Sequence, residues 1–290
     1  MFEYDFMIRA LIGVTMTGLI APAIGIYLVQ RRLSLIGDGL GHVALTGVGV
    51  GLLLNQQPVL MAVIVAALGA VAVELVRERG RTSGDVALAI LFYGGISGGV
   101  VLVSMSSNAS GSNLMSYLFG SPLTASKNDL YVTAGLAAAV LAVTLLLRPW
   151  LFAVCQDEEH ARVSGVPVRL LNLTLAVAAA VTVTAAMRTV GLLLVSALMV
   201  IPVATAQQVS RGFTATMVGA MGLGVAASAG GLWTAWKIDS APGATIVLVA
   251  IGGFVVVTLA VAARARLSRL MARTPTGPDP TDDPECVLHP

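Results

Sequence analysis

The sequence has few charged residues, only two cysteines and no motif of a nucleotide-hydrolysing site. Charged residues make up 11% of its 290 residues and hydrophobic residues 57%, whereas a soluble domain carries about 25% charged residues. This shortage excludes an ordinary water-exposed surface and predicts one that faces lipid. Cys155 and Cys286 are too few for a disulfide framework or a zinc cage. The motif G-x-x-x-x-G-K-S/T is absent, which excludes ATP hydrolysis by a P-loop.

Long apolar runs supply the fold prediction. A transmembrane helix uses about 20 residues, and nine runs of roughly that length occur. They are Ile8–Val29, Leu35–Leu54, Val59–Val76, Val86–Ser104, Leu130–Leu147, Leu170–Ala186, Val190–Gln207, Thr214–Trp236 and Ala244–Ala263. We therefore predict an all-α polytopic membrane protein with about nine transmembrane helices, or eight, in one transmembrane domain over residues 1–273. Residues 274–290 are rich in Pro and Asp and predict a disordered cytoplasmic tail.

Arginine residues predict the orientation of the chain in the membrane. They follow the first, third, fifth, seventh and ninth runs, at Arg31, Arg32, Arg77, Arg79, Arg81, Arg148, Arg162, Arg169, Arg211, Arg264, Arg266, Arg269 and Arg273. All of them lie in the cytoplasm if the N-terminus is outside and the C-terminus is inside. The longest cytoplasmic connection is then Trp150–Val168. The outer segment Met105–Asp129 is predicted to hold a short interfacial helix around Asn113–Gly120.

Two ionisable residues stand out because they fall inside an apolar run, where an unpaired charge is costly. Asp38 and His42 occur in GDGLGH, and an i, i+4 spacing places them on one helix face about 6 Å apart. A continuous rise from Arg32 would put His42 about 15 Å into the bilayer. A carboxylate and an imidazole on one face can bind a divalent transition metal. A hydrogen-bonded pair that only holds helices together, or a proton relay, would use the same residue types.

Three other residues are candidates for a path or a gate, each with a simpler explanation. Asp85 begins the fourth run, where an acidic N-cap needs no further role. Asp239 lies at an outer helix start, where it can recruit cations or form a turn before Pro242. Pro202 lies inside the seventh run and predicts either a hinge or a fixed bend.

Four blocks of the sequence resemble the permease subunits of the zinc/manganese/iron-type ABC importers (the ABC-3 family), most closely the zinc branch. They are RRLSLIGDGLGHVALTGVGVGLLL (Arg31–Leu54), NLMSYLFG (Asn113–Gly120), VGLLLVSALMVIPVATAQ (Val190–Gln207) and DSAPGATIVL (Asp239–Leu248). The resemblance implies a type II ABC importer-like fold and a homodimer in the bacterial plasma membrane. It also implies two cytoplasmic ATPase subunits, which bind the ATP, and an extracellular solute-binding protein. No permanently bound cofactor is expected.

The resemblance also assigns roles to particular residues. It implies that the cytoplasmic segment Glu158–Val166 docks on the ATPase through Glu158, Glu159, Ala161, Gly165 and Val166, although an ordinary solvated loop would have the same composition. Tyr93, a further candidate for the path or gate, stands where the zinc branch can carry a histidine, so the partner of Asp38 and His42 is left open. Imidazole favours zinc, whereas carboxylate and hydroxyl groups favour manganese.

The sequence therefore predicts a transmembrane subunit of an ATP-driven importer for a divalent transition metal, with zinc first and manganese next. The alternative is a proton-coupled secondary metal transporter, in which Asp38 and His42 would carry protons.

Overall fold

The computed structural model describes residues 5–78, 84–106, 118, 120 and 127–271, and this part of the chain is helical and contains no strand. Its helices are α1 (Asp5–Gln30), α2 (Ile36–Leu53), α3 (Pro58–Glu78), α4 (Gly84–Met105), α5 (Lys127–Leu146), α6 (Arg148–Gln156), α7 (Glu158–Val163), α8 (Val168–Val190), α9 (Leu192–Val209), α10 (Phe213–Ile238) and α11 (Pro242–Met271). The predicted helix around Asn113–Gly120 and the predicted disordered tail lie outside the described residues, apart from positions 118 and 120.

The nine predicted runs correspond to long helices. Eight of the helices are long and apolar enough to cross a membrane, and a ninth span results if α5 and α6 are counted as one bent pair. The bend between them is 65°, and Pro149 lies in the first turn of α6, where a proline needs no hydrogen-bond partner. The predicted connection Trp150–Val168 contains most of α6 and all of the short helix α7.

The helices differ strongly in how much of their surface other helices cover. In α1 and α8, 72% of the residues in the most apolar stretch are buried, whereas the figure is 11% in α11. Helix α1 contacts α5, α6, α8, α9 and α10, which places it at the centre of the bundle. An apolar face turned outward costs nothing in lipid, so a helix such as α11 can remain at the periphery.

Small residues allow the central helices to approach closely. At the crossing of α1 and α10, a β-carbon added to Gly18 would lie 2.6 Å from the carbonyl oxygen of Gly224. Side-chain hydrogen bonds supplement this packing: the Tyr27 hydroxyl donates to the carbonyl oxygen of Thr144 at 3.3 Å. Because lipid gives no hydrophobic drive for helix association, close packing and such hydrogen bonds hold the bundle together.

Candidate functional site

Asp38 and His42 lie in the first half of α2, nearer to its N-terminal end than a count from Arg32 predicts. The backbone turns between Arg31 and Leu35, and the helix begins at Ile36. Asp38 is consequently in the first turn, about 10 Å along the axis from the midpoint of α2, and His42 is about 4 Å from it. The rise from Arg32 is therefore not continuous, while the depth of His42 in the bilayer stays a prediction. A carboxylate in the first turn is stabilised by the free amides of the helix N-terminus.

The His42 imidazole is enclosed but incompletely paired. The residue is 9% exposed, and Phe92 of α4 lies edge-on to its ring with 4.4 Å between the ring centroids. Its Nδ1 atom is buried and has no hydrogen-bond partner within the described residues. A buried polar atom without a partner is uncommon and costs roughly 1–3 kcal/mol. The side chain therefore retains a nitrogen that is free to bind something else.

The Asp38 carboxylate is half-buried and contacts a neighbouring helix. The Ser196 hydroxyl of α9 donates to Asp38 Oδ1 at 3.3 Å. In the part of the chain that the structure describes, no arginine or lysine forms an ion pair with this carboxylate. The negative charge of Asp38 is thus stabilised by the N-terminus of α2 and by one hydroxyl. Both interactions are weak, so a bound cation can add to them.

Glycines on α2 allow α9 to come this close. A β-carbon at Gly41 would lie 2.7 Å from the Leu192 side chain, and one at Gly37 would lie 3.1 Å from the Met199 sulfur. Ser196 lies between these two contacts along α9. The glycines that flank Asp38 therefore serve helix packing, and this packing brings Ser196 to the carboxylate.

The other candidate residues do not join this pair through any described contact. Tyr93 is 68% exposed and packs on Phe92, while Phe92 rather than Tyr93 contacts the imidazole. Asp239 is exposed and ends α10 in a left-handed conformation, with φ of 51°. Pro202 is buried inside α9, which continues through it. Asp85 lies in the first turn of α4, and its side chain is outside the described part of the structure.

A charged cleft includes Arg31, which lies in the turn that precedes α2. It has a volume of about 1040 Å³ and is formed by the ends of α1 and α3, by α6 and α7, and by the start of α8. Its charged lining residues are Arg31, Arg77, Arg162, Arg169, Glu74, Glu78 and Glu158. Arginines that were predicted to share the cytoplasmic side thus surround one cleft. Four of the predicted arginines therefore lie at one end of the bundle, and the orientation of the chain in the membrane stays a prediction.

One ion pair in the cleft joins α7 to the turn that follows α1. Arg31 Nη2 lies 2.8 Å from Glu158 Oε2, and the Arg31 side chain is 8% exposed. Arg31 also donates through Nη1 to Asn172 Oδ1 of α8 at 2.6 Å. Glu158 makes a second, more exposed pair with Arg162, at 3.2 Å. One guanidinium therefore connects three elements just before the turn that leads to Asp38.

Helix α7 is short, and its ends are well satisfied. The Asp157 side chain accepts a hydrogen bond from the His160 amide at 2.9 Å, which is a standard N-cap. At the other end the Val166 amide donates to the Ala161 carbonyl at 3.0 Å, and Gly165 has φ of +81°. This arrangement is a Schellman C-cap, in which glycine adopts the left-handed conformation without strain.

The five residues assigned to docking by the resemblance do not share a face. Ala161 is buried at 2% exposure, and Glu158 is occupied by Arg31. Glu159 is exposed, and Val163, which the sequence analysis did not single out, is 88% exposed. Helix α7 therefore packs on the bundle through one face and leaves the other exposed.

Sequence reasoning also missed Ser196, Phe92 and Asn172. Ser196 is a polar residue inside an apolar run, which is a weak signal because such hydroxyls commonly bond a carbonyl of their own helix. No local pattern marks Phe92 or Asn172, since their roles depend on helices that are distant in sequence.

Comparison with known proteins found a matching family profile, similar proteins and a similar solved structure. The sequence profile described as the ABC 3 transport family matches residues 3–261. The chain is 32% identical over 251 residues to the manganese transport system membrane protein MntC of Halalkalibacterium halodurans, covering 86% of this chain and 85% of that protein. It is 33% identical over 255 residues to the chelated iron transport system membrane protein YfeD of Yersinia pestis, covering 88% and 85%. Among solved structures it resembles PsaBC from Streptococcus pneumoniae in complex with Fab, with a TM-score of 0.77, 28% identity and coverage of 88% and 91%.

Proposed function

The chain belongs to the ABC 3 transport family, and from this premise we propose that it carries a divalent transition-metal ion across the membrane past Asp38 and His42. As a permease of this family it is the membrane subunit of an ABC metal importer, and ATP hydrolysis belongs to a separate subunit. The likeness to PsaBC supports the type II ABC importer-like fold that the sequence resemblance implies.

One observation carries the proposal for the site. Among the described residues His42 Nδ1 is buried without a partner, and one helical turn away Asp38 has a single hydroxyl as its side-chain partner. Nitrogen and oxygen donors of this kind suit Zn²⁺, Mn²⁺ and Fe²⁺. A pair kept only for structure would be expected to have its donors and acceptors satisfied within the protein, which is not true of Nδ1.

The proposed site is incomplete in a single chain. No group of three or more His, Cys, Asp or Glu side chains that could hold a metal ion occurs among the described residues. We therefore propose a homodimer in which both copies of Asp38 and His42 contribute to one path. A partial ligand set also suits transport, because an ion must bind weakly enough to leave again.

The identity of the metal rests on two different arguments. The relatives are named for manganese and for chelated iron, which favours manganese or iron as the cargo. The preference for zinc rests on the resemblance to the zinc branch and on the imidazole of His42, and it stays a prediction. Uptake measured with each metal separately will decide between them.

We propose that the outward face of α7 docks on a cytoplasmic ATPase. The exposed Glu159 and Val163 supply one charged and one apolar contact on a helix whose other face is fixed by Ala161 and Glu158. A solute-binding protein on the outer face would deliver the metal. These partners are implied by the family, and the exposed face of α7 is the structural support for one of them.

Metal uptake by proteoliposomes tests the proposal. The permease is reconstituted with its ATPase and solute-binding protein, and ATP-driven uptake of manganese, iron and zinc is measured for D38A and H42A. Both substitutions should abolish uptake while dimer assembly is unchanged. Glu78→Gln is the matched control, because Glu78 pairs with an exposed arginine in the cleft and uptake should persist.

Two outcomes would contradict this account. Normal uptake by both variants would exclude the pair from the path. Uptake by the permease alone, driven by a proton gradient without ATPase or ATP, would establish the proton-coupled secondary transporter instead.

A further inference from the structure

The Ser196 hydroxyl lies at the same distance from three acceptors. Asp38 Oδ1, the carbonyl oxygen of Leu192 and the carbonyl oxygen of Leu193 are each 3.3 Å away. A hydroxyl has one proton and can donate to only one of them at a time, but its oxygen has lone pairs that remain available. The proton therefore has two alternatives on its own helix whenever the carboxylate is engaged elsewhere.

We propose that Ser196 positions Asp38 and helps to select the metal. This inference rests on the proposed function. Without metal, the hydroxyl donates to Asp38 Oδ1 and orients the carboxylate toward α9. When a cation binds the carboxylate, the proton turns to a carbonyl oxygen of Leu192 or Leu193. The hydroxyl oxygen then faces the cation as a third donor beside the carboxylate and the imidazole of His42.

The packing around Ser196 keeps the hydroxyl in place. Leu192 and Met199, which flank it along α9, are 0% and 1% exposed. Both lie where a β-carbon on Gly41 or Gly37 of α2 would be in close contact, so α2 and α9 approach closely on either side of Ser196. The chain enters α9 through Gly191, whose φ of +85° separates α9 from α8. Ser196 is thereby presented to Asp38 by a fixed helix rather than by a loop.

The chemistry of the third donor predicts the direction of selectivity. A hydroxyl oxygen is a hard, neutral ligand, which suits Mn²⁺ better than it suits Zn²⁺. A thiolate at the same position is a soft ligand and suits Zn²⁺ better. Substitution at Ser196 should therefore change the preference between metals, an effect that a purely structural serine would not produce.

Ser104 offers a matched control. Its hydroxyl also lies in a membrane helix, but among the described residues it donates to the carbonyl oxygen of Val101 in its own helix alone, at 2.7 Å, and the contact is exposed. Ser104→Ala therefore removes a hydroxyl from a span without removing a contact to a carboxylate.

The test uses the complete importer in proteoliposomes and measures the KM and the maximal rate of uptake for Mn²⁺ and Zn²⁺ separately. S196A should raise the KM for Mn²⁺ about tenfold, the effect of losing one contact of roughly 1.4 kcal/mol, and change the KM for Zn²⁺ less. S196T should restore the wild-type values, S196C should favour Zn²⁺, and S104A should behave as wild type.

The inference is overturned if S196A has wild-type KM values for both metals, or if it lowers uptake of both metals equally and S196T does not restore it. S196T and S196C retain a polar group and keep the test decisive if S196A does not assemble. Normal uptake by D38A would reject the proposed function itself, whatever the Ser196 variants show.

Discussion

The ion pair between Arg31 and Glu158 should be much stronger than the pair that the same glutamate makes with Arg162. The Arg31 side chain is 8% exposed, whereas that of Arg162 is 67% exposed, and Glu158 itself is 38% exposed. A charge-assisted hydrogen bond contributes about 1.5–3 kcal/mol, and the partial exposure of Glu158 places the Arg31 pair near the lower end. An exposed i, i+4 pair contributes about 0.3–0.5 kcal/mol.

Two double-mutant cycles on the purified permease measure this difference. One cycle combines Arg31→Met with Glu158→Gln, and the other combines Arg162→Met with Glu158→Gln. The free energy of unfolding is obtained by titration with SDS in mixed micelles, and the coupling energy is the departure of the double variant from additivity. We expect about 1.5–2 kcal/mol for the first pair and under about 0.5 kcal/mol for the second.

The effect of the Arg31–Glu158 pair on transport can be measured in the assembled importer. Because Arg31 joins α7 to the turn before Asp38, Arg31→Met should reduce metal transported per ATP hydrolysed, whereas Arg162→Met should leave that ratio unchanged. Equal coupling energies in the two cycles would refute the reasoning from burial. An unchanged ratio in Arg31→Met would show that this contact does not connect α7 to the metal path.

Three further predictions concern helix contacts and helix ends. Gly95→Ala should destabilise the permease by about 1–3 kcal/mol and lower uptake, because the added β-carbon would lie 2.6 Å from the backbone carbon of His42. Gly94→Ala meets nothing within 4 Å, so its thermal melting in detergent should match the wild type, and equal effects of the two would contradict the packing argument. Ala161→Pro should uncouple ATP hydrolysis from transport, because proline has no amide hydrogen and so removes the hydrogen bond that the Ala161 amide donates within α7. Coupled hydrolysis in this variant would count against docking of the ATPase on α7. Asp157→Ala should cost about 1 kcal/mol of stability through loss of the N-cap, measurable in the same SDS titration, and no loss would show that the cap contributes nothing.

The spans could be predicted from the sequence because lipid imposes a simple rule. Every backbone amide in the bilayer must be paired within its own helix, so each span is a long apolar run. The grouping of arginines was partly predictable as well, since Arg31, Arg77, Arg162 and Arg169 line one cleft. The spacing of Asp38 and His42 placed them on one face of one helix.

The remaining features depend on contacts that the sequence pattern does not carry. In lipid both faces of a helix are apolar, so periodicity does not distinguish the central α1 from the peripheral α11. Asp38 lies in the first turn of α2 because the chain turns before Ile36, which an apolar run cannot reveal. The contact from Ser196 to Asp38 joins residues 158 positions apart. Local propensities contain no information about such a pair.

The most direct test of the central claim is pulsed electron paramagnetic resonance of Mn²⁺ bound to the assembled importer. We predict a magnetic coupling between the ion and imidazole nitrogen from one or both copies of His42, which is lost in His42→Ala and retained in His160→Ala, since His160 lies exposed on α7. A nitrogen coupling that persists in His42→Ala, or an ion surrounded only by water in the wild type, would contradict the assignment of Asp38 and His42 to the metal path.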